Sequence, residues 1–131
     1  GNVPSTVNPK GASHPMSTDI QIENKFIQKV RKIVEENYSD EHFALPNLCQ
    51  KLSMSRSQLF RKMKALINES PSAFIRNYRL NKAKEFLENS EMNVSEVAWE
   101  VGFKDVAHFS KAYQEKFKIP PSATNKPLTI K

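Results

Sequence analysis

Apolar residues recur at helical spacing along most of this chain, beginning with a stretch from about residue 20 to residue 37. Its apolar positions follow one another at steps of three and four residues: Ile22, Phe26, Val30 and Ile33, with Ile27 and Val34 beside them. This spacing places them on one face of an amphipathic helix. The turn-forming residues at 37–40 end it. The pattern therefore predicts helix one.

Two shorter helices follow, each with recognisable ends. Leu45 to Leu52 forms helix two, and Pro46 is tolerated there because it lies in the first turn. Ser55 is an N-cap residue, and Gln58, three residues later, completes a capping box. Helix three therefore begins at Ser55 and runs to about Ile67.

A long helix four begins at Ser70-Pro71, a cap followed by proline at the first helical position. Its apolar positions continue to about Glu88: Phe74, Ile75, Tyr78, Leu80, Ala83, Phe86 and Leu87. A helix of roughly 18 residues is about 27 Å long, so it can hold two small lobes apart.

Two more helices complete the pattern. Asn93, with Glu96 three residues on, starts helix five, and Gly102 ends it. Asp105 caps helix six, which reaches Phe117. No alternating strand pattern is present, so the sequence predicts an all-α fold of six to seven helices.

The chain contains an internal repeat of helix, turn, helix and Pro-Ser-Ala. The first copy has its apolar positions at Leu45, Leu48, Cys49, Leu52, Leu59, Met63 and Ile67. The second has them at Val94, Val97, Ala98, Val101, Phe109, Tyr113 and Phe117. The offset is 49 residues before the turn and 50 after it, so the second turn is one residue longer. We predict two helix-turn-helix subdomains joined by a long linker helix.

Charge is concentrated in the first copy and the linker helix. The chain carries a net charge of +6, yet nine Lys or Arg residues and a single acid, Glu69, lie between Lys51 and Lys84, a local charge of +8. Such a zone favours a polyanion, and nucleic acid ahead of an acidic membrane, because no helix joins a wide apolar face to basic flanks. Two helix-turn-helix units in a basic chain point to double-stranded DNA.

Composition excludes several other classes. A chain of 131 residues with 38% hydrophobic residues can cover one modest helical core, but not a large α/β enzyme. Cys49 is the only cysteine, so neither an internal disulfide nor a thiolate metal cluster is possible. No glycine-rich phosphate loop exists, and the titratable residues are not clustered. We expect no catalytic site, no cofactor and no metal.

The ends of the chain carry little that could pack. Residues 1–19 are rich in Pro and Gly, and we interpret them as a disordered linker or a cloning remnant, consistent with the first methionine at Met16. The DNA-binding domain is predicted over 20–123, with a first unit at 26–69, the linker helix at 71–88, a second unit at 93–122 and a tail at 124–131. No stretch approaches the roughly 18 apolar residues of a membrane span. We expect a cytoplasmic protein without membrane contact.

The second helix of a helix-turn-helix places its N-terminal, outward-facing side chains on base edges of the major groove. Leu59, Met63 and Leu66 or Ile67 face the core, which leaves an outward set on helix three: Arg56, Ser57, Phe60, Arg61 and Lys64, with Lys62 and the capping Ser55 beside them. Arg61 is our first choice for base readout, because its fork can reach guanine O6 and N7 together. Gln58 either reads adenine or stays bound to the Ser55 backbone, and Phe60 either contacts DNA or packs against helix four or a partner.

Helix six presents a less basic outward set: Val106, Ala107, His108, Ser110 and Lys111. Val106 or Ala107 could touch a thymine methyl, and Lys111 occupies the position that Arg61 has in helix three. His108 is either a donor to DNA or an ordinary surface residue. The unequal helices predict an asymmetric DNA site.

Other noticeable residues have ordinary structural interpretations. We expect Arg76, Arg79, Lys82 and Lys84 on helix four to be solvated or paired with Glu85 and Glu88. Cys49 and Ala98 occupy matching small core positions, and Trp99 is expected to pack.

These residues resemble the AraC/XylS family of bacterial transcription regulators over about residues 26–123. The most specific stretch is NVSEVAWEVGFKDVAHFSKAYQEKFKIPPS at 93–122, and the linker helix FIRNYRLNKAKEFL at 74–87 is also similar. The resemblance implies two recognition helices in successive major-groove segments. It places the base-reading positions on Ser57, Phe60 and Arg61, and on Val106, Ala107, His108 and Lys111.

The resemblance has two departures and implies further partners. The family usually has Gly where this chain has Lys118, and an aromatic residue where it has Ala123-Thr124, so the C-terminal cap is expected to differ. It also implies a fused sensing or phosphorylated receiver domain and action on RNA polymerase at a promoter. The competing hypothesis is a helical protein-interaction module whose basic face meets an acidic partner.

Overall fold

The computed structural model describes the backbone of residues 15–124 and the side chains of residues 25–124. It contains α1 Pro15–Asn37, α2 Leu45–Leu52, α3 Arg56–Ile67, α4 Pro71–Asn89, α5 Val94–Glu100 and α6 Val106–Phe117, followed by a 3₁₀ turn at Pro121–Ala123. No strand occurs in residues 15–124. The predicted all-α fold is confirmed.

Helix α1 begins five residues earlier than predicted, because Pro15 can occupy a first helical turn at no cost in hydrogen bonds. Its buried stripe also differs from the predicted one. Ile27, Val30 and Val34 are buried, at steps of three and four, whereas Phe26 and Ile33 are only half-buried. The predictions for residues 1–14 and 125–131 lie outside the described residues.

The chain divides into two compact units, and the boundary falls inside α1, after Lys32. The second unit, from Ile33 onward, contains the last turn of α1 and all of α2 to α6. No helix within the described part of the chain is long and apolar enough to cross a lipid bilayer.

The helix ends are fixed by the predicted capping residues. The Ser55 hydroxyl accepts from the backbone N–H of Gln58 at 3.1 Å, and the Ser70 hydroxyl accepts from that of Ala73 at 3.2 Å. Asn93 and Glu96 form a reciprocal pair at 2.8 and 2.9 Å. These side chains satisfy N–H groups that have no partner within their own helices.

Helix α4 is the central support of the second unit. It contacts α2 and α3, the helices of the first copy of the repeat, and also α5 and α6, the helices of the second copy. Its buried residues therefore do not form a single stripe: Pro71, Phe74, Ile75, Leu80, Ala83 and Leu87. A helix covered from several directions needs apolar residues around much of its circumference.

The matching positions of the two copies form matching cores. Leu48, Cys49, Leu59 and Met63 are buried in the first copy, and their counterparts Val97, Ala98, Phe109 and Tyr113 are buried in the second. The expectation that Cys49 and Ala98 are core residues is confirmed. The expectation for Trp99 is wrong, because α5 turns its indole outward and leaves 57% of the residue exposed.

The C-terminal end of α6 has a lysine at a position where glycine is favoured. Lys118 is the C-cap and adopts the left-handed conformation, with φ of 68°, which a glycine adopts without steric cost. Beyond it, the hydroxyls of Tyr113 and Thr124 are hydrogen-bonded at 2.7 Å. The cap keeps the usual backbone geometry despite Lys118, and Thr124 anchors the chain after the 3₁₀ turn.

Candidate nucleic-acid interface

The outward residues of α3 lie where the sequence predicted them. Leu59 and Met63 are buried, whereas Arg56, Ser57, Arg61, Lys62 and Lys64 are exposed. Phe60 is 49% exposed, so its ring is not packed into the core. A cationic and aromatic surface therefore starts at the N-terminal end of α3.

Of the two alternatives for Gln58, the capping contact is present in the structure. Its side-chain oxygen accepts from the backbone N–H of Ser55 at 3.0 Å, which completes the capping box. The amide oxygen and the Ser55 hydroxyl are thus engaged in holding the helix start. Their structural role is to orient α3, with Arg56 and Ser57 immediately after the cap.

The first turn of α6 is held by Asp105. One carboxylate oxygen accepts from the backbone N–H of Ala107 at 2.9 Å and of His108 at 3.4 Å. Ala107, His108 and Lys111 are exposed. Phe103 supports the His108 ring edge-on, with 5.6 Å between ring centroids.

Val106 faces outward less than the sequence predicted. Its side chain is half-buried and packs against the apolar core of the second copy, which includes Phe103 and Phe109. Ser110 is also half-buried. The physical reason is that Val106 is apolar and lies next to this core, whereas its counterpart in α3 is the exposed Arg56.

Two adjoining clefts connect the starts of α3 and α6. The first is lined by Arg56, Ser57, Phe60 and Arg61 of α3, together with Leu45, Ser70, Pro71 and Ser72. The second is lined by residues of α2, α4 and α6 and of the connections before α2 and before α6, including Leu45, Ser72, Arg76, Lys104, Asp105 and His108. Leu45 and Ser72 line both clefts. Four candidate residues of α3 and His108 of α6 therefore line two clefts that meet at Leu45 and Ser72.

Most cations of α4 behave as predicted. Lys82 pairs with Glu85 at 3.5 Å, and Lys84 pairs with Glu88 at 3.4 Å. Arg76 is exposed and lines the second cleft. Ion pairs of this exposed kind contribute little to stability, so these lysines mainly keep the helix solvated.

The prediction for Arg79 is wrong. Its guanidinium is half-buried and donates to three backbone oxygens in the connection between α1 and α2: Tyr38 O at 2.9 Å, Asp40 O at 3.0 Å and Phe43 O at 2.9 Å. Burial lowers the pKa of Arg79, and the nearby Asp40 carboxylate acts in the opposite direction. The acceptors lie 36 to 41 residues before Arg79 in the sequence, so no helical spacing indicates this role.

Comparison with known proteins now identifies the arrangement. A helix-turn-helix domain family matches residues 48–127, which is more than half of the chain. The chain belongs to the AraC family of helix-turn-helix transcription regulators. The AraC-type fold and its DNA-binding function, both predicted from the resemblance, are confirmed.

Relatives of this AraC-family chain carry the same domain within longer proteins. The chain is 41% identical over 101 residues to a protein named histidine kinase P4 from Formosa agariphila, covering 77% of this chain and 7% of that protein. It is 36% identical over 95 residues to the transcriptional regulator GbdR of Pseudomonas aeruginosa, covering 72% and 26%. The chain thus spans a small part of either relative.

A solved structure shows the same fold. The C-terminal domain of the response regulator yesN from Fusobacterium nucleatum superimposes with a TM-score of 0.71 at 30% identity, covering 75% of this chain and 95% of that one.

The described residues contain no group of three or more His, Cys, Asp or Glu side chains that could hold a metal ion.

Proposed function

We propose that this AraC-family segment reads an asymmetric promoter site with both of its helix-turn-helix units. In this proposal α3 and α6 enter successive major-groove segments on one face of the duplex. The observation that carries it is the continuous surface formed by the two clefts. Because Leu45 and Ser72 line both clefts, a single duplex laid along them meets the N-terminal residues of α3 in the first cleft and His108 of α6 in the second.

The charges on this surface favour a nucleic-acid ligand. Arg56 and Arg61 line the first cleft, and Arg76 and Lys104 line the second. Glu41 and Asp105 also line the second cleft, and Asp105 is engaged in capping α6. A cationic surface attracts phosphates and releases their counterions, which supplies most of the sequence-independent affinity for DNA.

The division of roles follows from exposure and chemistry. Arg61 offers the guanidinium fork that matches guanine, and Phe60 offers an exposed apolar ring. On α6, Ala107, His108 and Lys111 are the accessible readers, whereas Val106 contributes from a half-buried position. We assign Lys62 and Lys64 to phosphate contacts, and Ser55 and Gln58 to holding the start of α3 against the duplex.

The proposal also covers the full-length protein of which this segment is a part. We propose that it works in the cytoplasm without membrane contact by this segment, that a sensing or receiver domain is fused to it, and that it acts on RNA polymerase at a promoter. One relative carries the name histidine kinase, but the matched segment makes up only 7% of that protein. We therefore assign no enzymatic activity to residues 20–123, which we propose to be the DNA-binding domain.

Salt dependence of binding separates this proposal from a protein-interaction module. A duplex selected from a random library and a scrambled duplex of the same composition are titrated across a range of salt concentrations. We expect a preference of roughly 10³-fold or more for the selected duplex, together with a steep fall of log affinity with log salt. Equal and feeble binding to both duplexes would favour a basic face that meets an acidic protein.

A further inference from the structure

The junction between the two helix-turn-helix units is organised around Arg79. Nε donates to Tyr38 O at 2.9 Å, and Nη2 donates to Asp40 O at 3.0 Å and to Phe43 O at 2.9 Å. The acceptors follow the C-terminal end of α1, where backbone oxygens lack helical partners. One side chain of α4 thus holds the segment that leads into the first helix-turn-helix.

The same segment also contacts the second helix-turn-helix. The Tyr38 side chain packs against the apolar core formed by α4, α5 and α6. Its ring lies 5.5 Å from the ring of Tyr78, the neighbour of Arg79 on α4. Tyr38 therefore links the connection before α2 to the core beneath α6.

Gly102 is the residue of the second helix-turn-helix that contacts this junction. It lies in the turn between α5 and α6 with φ of 92°, and a Cβ there would lie 2.2 Å from Tyr38 O and 2.8 Å from Arg79 Nε. Only a residue without a side chain permits this approach. The α5–α6 turn, the 38–43 segment and Arg79 are consequently in mutual contact.

We infer that Arg79 and Gly102 are positioning residues that fix α6 relative to α3 and so set the base-pair spacing at which both helices can read one duplex. The inference rests on the proposed function in one respect, namely that both helices bind the same duplex. The first cleft is lined by the start of α3, and the second is lined by His108 of α6 together with Arg79 and Gly102. A change in this junction alters the angle between the helices without touching the DNA-contacting residues.

Arginine chemistry suits this role better than lysine. A planar guanidinium carries several N–H donors in fixed directions, so it can hold three carbonyl oxygens in one arrangement. A lysine ammonium offers a single flexible centre. Arg79→Lys therefore keeps the charge but loses the geometry, and it distinguishes positioning from simple attraction to phosphates.

The first test measures affinity against spacing. The selected duplex is shortened or lengthened by one, two and three base pairs between the two contacted segments. A duplex that keeps only the segment contacted by α3, whose cleft includes neither Arg79 nor Gly102, serves as the half-site. We expect the unaltered chain to prefer one spacing sharply. Arg79→Lys, Arg79→Ala and Gly102→Ala should each weaken binding at that spacing by roughly tenfold or more, because a rigid mount makes the second contact intramolecular.

The half-site and a charge control make the result specific. We expect the three variants to bind the half-site as the unaltered chain does and to show a flattened spacing profile. Lys84→Ala, which removes one positive charge from the same helix, should keep the sharp profile. A variant profile as sharp as that of the unaltered chain would overturn the inference. A lack of preference for the selected duplex by the unaltered chain would instead reject the proposed function.

The second test needs no DNA. Spin labels are attached at Ala65→Cys on α3 and Gln114→Cys on α6, both exposed positions, in a Cys49→Ala background that copies the residue of the second repeat. We expect a narrow distance distribution that broadens in Arg79→Lys and Gly102→Ala while circular dichroism still shows the helices. An equally narrow distribution in these folded variants would contradict the inference, even where Arg79→Ala fails to fold.

Discussion

In the proposed complex with DNA, the exposed side chains of α3 divide into a base reader and phosphate contacts. Arg61 and Lys64 both carry one positive charge and both are exposed, but only a guanidinium can donate two parallel hydrogen bonds to guanine. Substitution of Arg61 should therefore change the sequence preference, whereas substitution of Lys64 should change only the overall affinity.

We expect Arg61→Ala to cost about 1–3 kcal/mol on the selected duplex and to relax the preference at one base pair. Lys64→Ala, the matched control, should weaken all sequences alike and reduce the salt slope by about 1. Quantitative binding to a set of single-base variants of the duplex measures both effects. If Arg61→Ala left the ranking of these variants unchanged, its assignment to base readout would be wrong.

Lys118 adopts a backbone conformation that costs free energy for a lysine but not for a glycine. Its φ of 68° places it in the left-handed region, where a side chain is disfavoured and glycine is not. We expect Lys118→Gly to raise the free energy of unfolding by about 0.5–1 kcal/mol, after the larger loss of chain entropy is included. Thermal denaturation followed by circular dichroism measures it.

Asn68 provides the matched control for that substitution, because it is also a C-cap with φ of 55°. Asparagine tolerates the left-handed region through its short polar side chain, so Asn68→Gly should gain less. An equal gain at both positions would contradict this account, because it would show that the left-handed cap geometry alone, and not the residue type, governs the effect.

Sequence reasoning predicted residues well where local chemistry decides their environment. The caps Ser55, Ser70, Asn93 and Asp105 were predicted because a helix start needs an acceptor within three residues. Trp99 was expected to pack because it is large and apolar, although it lies off the buried face formed by Val97, Ala98 and Val101. Arg79 was not predicted, because its environment depends on contacts distant in sequence. Arg79 meets a segment 36 to 41 residues away, and no periodicity reveals such a contact.

At the scale of the element, the two recognition helices are oriented by their first turns. In α6 this depends on a single side chain, since Asp105 accepts from both Ala107 and His108. The exposed readers follow immediately, so fraying of this turn disturbs stability and DNA contact together.

We expect Asp105→Ala to lower the free energy of unfolding by about 0.5–2 kcal/mol, the usual contribution of a cap. Asp105→Asn keeps an acceptor and should lose much less. Urea denaturation of the two variants measures the difference. A loss of the same size in both would indicate that the negative charge, and not the hydrogen bond, holds the turn.

The stability contributed by the contact between α6 and Thr124 depends on pH through the Tyr113 phenol. Burial raises the pKa of its phenol above the ordinary value of 10.0, and the Thr124 hydrogen bond acts in the opposite direction. The folded chain therefore holds the phenol proton more tightly than the unfolded chain. This contribution is complete below pH 10.0 and is lost as the pH rises beyond the raised pKa.

Tyr113→Phe isolates this contribution. At pH 8 the variant should be less stable, because it loses the hydrogen bond to Thr124. Above pH 10 the difference should shrink or reverse, because phenylalanine has no proton to lose. Denaturation midpoints between pH 8 and 11 measure it, and a difference that stays constant over this range would contradict the account.

At the scale of the whole molecule, the internal repeat predicted the two helix-turn-helix units and the linker helix between them. Matching apolar positions in the two copies form matching cores around a shared helix. What it did not predict is how the copies are joined. Gly102 appeared only as the end of a helix, yet its lack of a side chain allows the second turn to approach Tyr38 O. The spacing of two reading helices depends on such contacts, and these become visible only when the copies are seen together.

The central claim is that α3 and α6 read one face of one duplex, and base-resolved footprinting on the selected duplex tests it most directly. Methylation interference and hydroxyl-radical cleavage are recorded for the unaltered chain. The account predicts two contacted major-groove segments about one helical turn, 10–10.5 base pairs, apart on the same face. A single contacted segment, or two segments on opposite faces, would contradict it.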